Sequence, residues 1–143
     1  MSSNIREPLF MLLHSVKRTM RNAIQLNDHA LKLLHLRVLK IIDSADEPVT
    51  ANDIVQKTLI DKAQLARLIK ELMSNGYIVK LDNTQDKRSY FLQLTAAGDG
   101  IMQLLSTAEI EMNDVMKGTL SDSEINEFKR IATIMADNLN NNG

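Results

Sequence analysis

A mainly α-helical fold carrying one small antiparallel β hairpin is what this sequence predicts, and three observations predict it. Apolar residues recur at helical spacing over most of the chain, from Leu9 to Leu139. The period changes between Tyr77 and Leu94, where two runs rich in β-branched and aromatic residues, Tyr77–Leu81 and Ser89–Leu94, flank the all-polar Asp82–Arg88. Immediately before that hairpin, two helical segments meet across the short turn Lys57–Ile60, which is the spacing of a helix-turn-helix. Helix, turn, helix and hairpin in that order make a winged helix-turn-helix, and the long apolar stripes on either side make flanking helices.

Taken in order, the first helix starts near Pro8, a residue tolerated in an opening turn, and aligns Leu9, Leu12, Leu13, Val16, Met20 and Ile24. Asn27 and Asp28 break it. A second helix is expected to turn Leu31, Leu34, Val38, Ile41 and Ile42 inward before Asp46-Glu47-Pro48 stops it. Val49 is placed to lend a short strand to the hairpin. Thr50, with Asp53 three residues on, caps a short helix through Gln56 that buries Ile54 and Val55.

The next helix has both ends specified locally. Asp61 caps its start, Gln64 stands where a capping box would close, and Gly76 occupies the left-handed stop. Leu65, Leu68, Ile69, Leu72 and Met73 face inward, leaving Lys62, Gln64, Arg67 and Lys70 outward. In the hairpin, Tyr90, Leu92 and Leu94 alternate onto one face, and Asp82–Arg88 forms an exposed tip. Thr95 then caps a long helix with a stripe of Ile101, Leu104, Leu105, Ala108, Met112 and Val115, ending at Gly118. Ser121 and Glu124 make a capping box for the last helix, with Leu120 and Ile125 as its staple. Its face continues through Phe128, Ile131, Ala132, Met135 and Leu139, and the tail Asn140–Gly143 is expected to fray.

Composition narrows the function classes. At 143 residues, 44% hydrophobic and 24% charged, the chain is one globular domain's worth, 1–143. No apolar run approaches the roughly 20 residues of a membrane span, and the N-terminus lacks the pattern of a secretory signal, so a cytoplasmic location is expected with no membrane partner. The absence of cysteine excludes disulfides, thiolate sensing and cysteine-ligated zinc. The net charge of -1 is low for a nucleic-acid binder. Its distribution is uneven: residues 1–46 carry seven Lys/Arg against four Asp/Glu, residues 47–94 seven against six, and residues 95–143 three against eight. Lys62, Arg67, Lys70, Lys87 and Arg88 all fall on the helix front or the hairpin tip, so a local basic patch is expected despite the balance.

Asp86-Lys87-Arg88, followed by Leu92-Gln93-Leu94-Thr95 and Gly98, resembles the D-x-R-x-x-x-L-x-L-T-x-x-G signature of the MarR/SlyA transcriptional regulators. The preceding Leu72-Met-Ser-Asn-Gly76-Tyr-Ile is similar to that family's wording too, and the resemblance extends more loosely to helices before and after the core. It implies a sequence-specific DNA-binding regulator, a repressor in the first reading, acting as a homodimer on a pseudo-palindromic operator. Residues 29–98 would be the winged helix-turn-helix core, and 5–27 and 99–139 the dimerisation helices that interlock two protomers. Amphipathic helices of that length at both ends independently ask for a second apolar surface.

On the reading helix the resemblance assigns Arg67 to base contact, with Lys62, Ala63, Gln64 and Lys70 along the same interface. An arginine there suits bidentate hydrogen bonding to guanine. Many relatives carry Ser and Thr where this chain has Ala63 and Gln64, so its base preferences are its own. In the wing, Asp86 supports the strand end, Arg88 goes into or along the minor groove, and Lys87 adds a phosphate contact.

Three histidines, His14, His29 and His35, form no H-x-x-H or H-x-x-x-H pair, so no metal is expected. His14 and Arg18 share a face of the first helix and His35 sits by the apolar stripe of the second. The resemblance places a pocket for a small anionic or phenolic effector near them, and the alternative is polar helix positions at a packed interface. The eight methionines sit mostly at core spacing. No cysteine or G-x-S-x-G nucleophile and no glycine-rich phosphate loop is present, so neither an enzyme nor a cofactor is expected. Two other readings stay open: a winged-helix protein-interaction module without DNA binding, and an effector-independent anti-silencing DNA binder.

Overall fold

The computed structural model describes residues 3–142. Its elements are α1 (Arg6–Ile24), a 3-10 turn (Leu26–His29), α2 (Leu33–Ser44), β1 (Val49–Thr50), α3 (Ala51–Lys57), α4 (Lys62–Ser74), β2 (Ile78–Asp82), β3 (Tyr90–Leu94), α5 (Ala96–Lys117) and α6 (Asp122–Asn141). The chain forms two compact units, one through Glu109 and one from Ile110 onward, with α5 running from the first into the second.

The first unit holds the core. Leu36, Val38 and Leu39 of α2, Ile54 of α3, Leu65, Leu68, Ile69 and Leu72 of α4, and Ile101, Met102, Leu105 and Ala108 of α5 are all buried. Burial of each large aliphatic side chain stabilises by about 1.5–3 kcal/mol relative to exposure, which is what holds these helices to the sheet. That sheet has the order β1-β3-β2 and is antiparallel throughout. Its register pairs Val49 with Leu92, Ile78 with Leu94 and Asp82 with Tyr90, and Val49, Ile78 and Leu92 are its buried residues.

The expected helix phases need correction in three places. Leu34 is 38% exposed, Ile41 and Ile42 are half-buried, and the inward face of α2 is His35, Leu36, Val38 and Leu39. The reason lies at the helix start: the 3-10 turn delays α2 to Leu33, and Leu31 packs from the loop ahead of it. On α5, Met102 is buried where Leu104 had been expected, and Leu104 and Val115 are exposed. On α1 only Met20 and Ile24 are buried, while Leu9, Leu12 and Leu13 stay exposed beside Phe10 and Met11.

In the second unit local signals set the helix ends. Gly118 takes a φ of +48° to end α5. Ser121 then opens α6 with a reciprocal capping box, its N–H donating to Glu124 Oε1 at 2.9 Å and its hydroxyl accepting from the Glu124 N–H at 3.1 Å. Leu120 is exposed and Ile125 half-buried at the expected staple. Among the described residues from Ile110 onward none is buried, and Ile110, Val115, Phe128, Ile134 and Leu139 are exposed. The helix continues through Asn141, beyond the point where fraying was expected, and Gly143 lies outside the described residues.

Candidate nucleic-acid interface

The interface is set by how α4 is fixed at both ends. At its start, Asp61 Oδ1 accepts from the Gln64 N–H at 2.7 Å. Asp61 is therefore a cap, and α4 has a simple cap where α3 and α6 have reciprocal boxes. At its end, the Gly76 N–H donates to Met73 O at 3.1 Å and the Tyr77 N–H to Leu72 O at 3.0 Å, the paired closure of a Schellman motif. Gly76 makes that closure with φ +82°, a conformation that costs a residue bearing a Cβ.

The L-x-L-T-x-x-G segment then ties the wing to that helix end. The Thr95 hydroxyl donates to Gly76 O at 2.6 Å and accepts from the Gly98 N–H at 3.1 Å, and the Thr95 N–H donates to Tyr77 O at 3.0 Å. A Cβ on Gly98 would sit 2.3 Å from Tyr77 O, so only glycine allows α5 to pass this close to the root of β2. One threonine and one glycine thus fix the wing relative to the helix before it.

With α4 held this way, its buried row of Leu65, Leu68, Ile69 and Leu72 leaves Lys62, Ala63, Arg67 and Lys70 exposed and Gln64 half-buried. In the turn ahead of it, the Thr58 hydroxyl donates to Ile54 O at 2.9 Å and accepts from the Ile60 N–H at 3.2 Å. Ile60 is buried and Leu59 is left fully exposed.

The wing tip is ordered by side-chain turns. Asn83 Oδ1 accepts from the N–H groups of Gln85 and Asp86 at 3.1 and 3.3 Å, and its amide donates to Ser89 Oγ at 3.0 Å. Asp86 Oδ1 accepts from the Arg88 N–H at 3.0 Å and from Arg88 Nε at 3.3 Å. Asp86 therefore steers an arginine whose side chain is 92% exposed, and Lys87 is exposed beside it. A cation the sequence reading did not single out is Lys80, whose Nζ lies 4.1 Å from the centre of the Tyr90 ring. The legible signal was the strand register, since Lys80 faces Leu92 and so stands diagonal to Tyr90 on one face.

The three residues tied to an effector pocket fall in different environments. His14 and Arg18 are exposed on α1, whereas His35 is 1% exposed. Its Nδ1 accepts from the Lys32 N–H at 2.8 Å, and its Nε2 lies 3.5 Å from Glu71 Oε2 of α4 without forming a hydrogen bond. Burial holds the imidazole below its ordinary range, opposed by the Glu71 charge and reinforced by Lys32. Among the described residues no group of three or more acidic, histidine or cysteine side chains is gathered as a metal would require.

The molecule is of the winged helix-turn-helix class, with Lys62, Arg67 and Lys70 exposed on α4 and Lys87 and Arg88 exposed on the wing tip. Residues 30–89, which span α2 through the wing tip, match the model of the MarR family. It is 28% identical over 86 residues to the HTH-type transcriptional regulator BilQ of Clostridioides difficile, an alignment covering 60% of this chain and 58% of that protein. It is 20% identical over 130 residues to the HTH-type transcriptional repressor YetL of Bacillus subtilis, covering 86% and 75%. In structure it is similar to MepR of S. aureus solved as a DNA complex, with TM-score 0.80, 19% identity, and 96% and 99% of the two chains covered. No helix among the described residues is long and apolar enough to cross a membrane.

Proposed function

We propose that this chain is a sequence-specific DNA-binding regulator of transcription, acting as a homodimer on a pseudo-palindromic site, and that its role is repression. The observation that carries the reading is the exposed row Lys62, Arg67 and Lys70 on a helix locked at both ends, beside a wing tip that presents Lys87 and Arg88. Arg67 meets base edges from the middle of α4, with Ala63 and Gln64 along the groove, and Lys62 and Lys70 reach phosphates. Lys87 binds phosphate, and Arg88, aimed by Asp86, enters the minor groove, where narrow A·T-rich segments carry the most negative potential. MepR in complex with DNA shares the fold, and YetL bears the name of a repressor, which supports both halves of the reading.

Residues 29–98 read DNA, and 5–27 and 99–139 hold two protomers together. The support for the dimer is the exposed apolar side chains Leu9, Phe10 and Leu13 on α1 and Phe128, Ile131 and Leu139 on α6. The site of action is the cytoplasm, where a regulator meets the chromosome. A small phenolic or anionic effector would relieve repression, with His14 and Arg18 as its exposed contacts.

The test is a fluorescence anisotropy titration with duplex DNA at low and moderate salt. Released counterions make a phosphate-binding protein lose affinity steeply as salt rises. No binding at either salt would contradict the reading and leave a protein-interaction module in its place.

A further inference from the structure

Among the described residues His35 is the one buried polar or charged side chain, and it stands between the start of α2 and α4. Its two nitrogens are already committed to different elements. Nδ1 accepts a hydrogen bond from the Lys32 N–H, so it carries no proton, and the neutral ring must be the Nε2–H tautomer. The Nε2 that carries this proton lies 3.5 Å from Glu71 Oε2. Glu71 in turn belongs to the closing turn of α4, where its carbonyl accepts from both the N–H and the side-chain amide of Asn75 at 3.0 and 2.9 Å. A second tie runs alongside, from the Tyr77 hydroxyl to His29 O at 2.9 Å.

We propose that His35 is a positioning residue for the reading helix: in its neutral Nε2–H form it closes the start of α2 and faces Glu71 of α4, and taking up a second proton releases the α2 start and weakens DNA binding. The inference rests on the DNA-binding reading above.

The chemistry forces the choice at Nδ1. A proton there would confront the Lys32 N–H donor at 2.8 Å, so a hydrogen bond becomes a donor-to-donor repulsion. The imidazolium formed would instead pair with Glu71 through Nε2, drawing on the carboxylate at the end of α4. The charged groups that act on the ring are Glu71 from α4 and Lys32 at the head of its own helix. β3, also packed on α2, contributes Tyr-Phe-Leu-Gln-Leu and no charged residue, and α5 meets α2 through the exposed Lys40–Glu109 ion pair, more than a helical turn beyond His35. Proton uptake is therefore opposed by burial, by the Lys32 charge and by the Lys32 backbone donor, and favoured by the Glu71 carboxylate.

Glutamine separates the roles, because at this position its amide oxygen accepts the Lys32 N–H as in an ordinary capping box and it never titrates. The experiment measures operator affinity by anisotropy from pH 7.5 to 5 for the full-length wild type, His35→Gln and Glu71→Gln, with nitrogen-15 NMR of the histidine ring in the same wild-type protein. The expected results are an Nε2–H tautomer at pH 7.5, equal affinity of wild type and His35→Gln at that pH, and a loss on acidification in wild type alone. One proton per protomer limits that loss to about two decades per pH unit for a bound dimer. In Glu71→Gln the loss should begin at a lower pH, because the carboxylate that favours the charged ring is gone. Parallel pH profiles for wild type and His35→Gln, or an Nδ1–H tautomer, would overturn the inference while leaving the DNA-binding reading standing. Absence of DNA binding by wild type at pH 7.5 would overturn that reading and the inference with it.

Discussion

The first unit and the last helix are both well-specified helical structure, yet they differ in what holds them. In the unit through Glu109, α2, α4 and α5 each bury a row of apolar side chains and α3 buries Ile54, with Val38, Leu39 and Ile54 entirely out of contact with solvent. α6 has a reciprocal capping box and buries none of its residues. Local signals are thus enough to define a helix, while burial within the chain is what anchors one. α6 carries an apolar stripe with no counterpart in its own unit, which is why the proposed dimer assigns its partner surface to a second copy.

The largest effect should come from breaking that surface. Phe128→Glu combined with Ile131→Glu adds two charges to the exposed stripe, and it should convert a micromolar dimer into a monomer in sedimentation equilibrium. The folded core should persist in the same samples. A double variant that stays dimeric would move the interface elsewhere. Two-fold symmetry adds a DNA-side counterpart: with half-site centres about one helical turn apart, roughly 10 to 10.5 base pairs, inserting half a turn should abolish tight binding.

In the core, the contrast reverses. Leu39→Ala should cost about 2–5 kcal/mol in urea unfolding, because it leaves a cavity among packed neighbours. Phe128→Ala, made on an exposed ring, should leave the monomer's stability unchanged, so the pair of variants measures the difference between the two regions directly. Gly98→Ala should fall next, at about 1–3 kcal/mol, since its Cβ must displace the Tyr77 carbonyl or α5 itself.

The same difference explains what was legible in the sequence. Ends were readable because they are short-range: the Thr50 and Asp53 box, the Asp61 cap, the Gly76 stop and the Ser121 and Glu124 box all stand where residue chemistry placed them. The outward row Lys62, Arg67 and Lys70 was readable for the same reason, because α4 has one strong apolar face and the remaining positions follow. Phase was less legible where a tertiary contact sets it. The delay of α2 to Leu33 puts Leu36 and Leu39 inside and Leu34 outside, and no periodicity within α2 distinguishes those choices. His35 was unreadable as a core residue, since its burial depends on Glu71 and on a backbone donor at Lys32, one of them 36 positions away by the numbering of the chain.

Two smaller effects sharpen the account of the core. Thr50→Ala removes the oxygen that accepts the Asp53 N–H at 3.2 Å and should cost about 1 kcal/mol. The pH dependence of stability carries a sign fixed by His35. Its folded-state pKa is lowered from the ordinary 6.5, so the unfolded chain takes up the proton first. Stability should be full above that range and decline as pH falls through and below it, and His35→Gln should remove that part of the slope in unfolding curves taken from pH 7.5 to 5.

The central claim is that α4 reads bases while the wing holds backbone, and paired salt titrations on operator and scrambled duplex test it most directly. Arg67→Ala should cost about 1–3 kcal/mol on the operator and little on the scrambled sequence. Lys87→Ala and Arg88→Ala should each lower the salt slope by about one unit on both duplexes. Equal weakening of both duplexes by Arg67→Ala, together with unchanged affinity and slope for the two wing variants, would contradict the account.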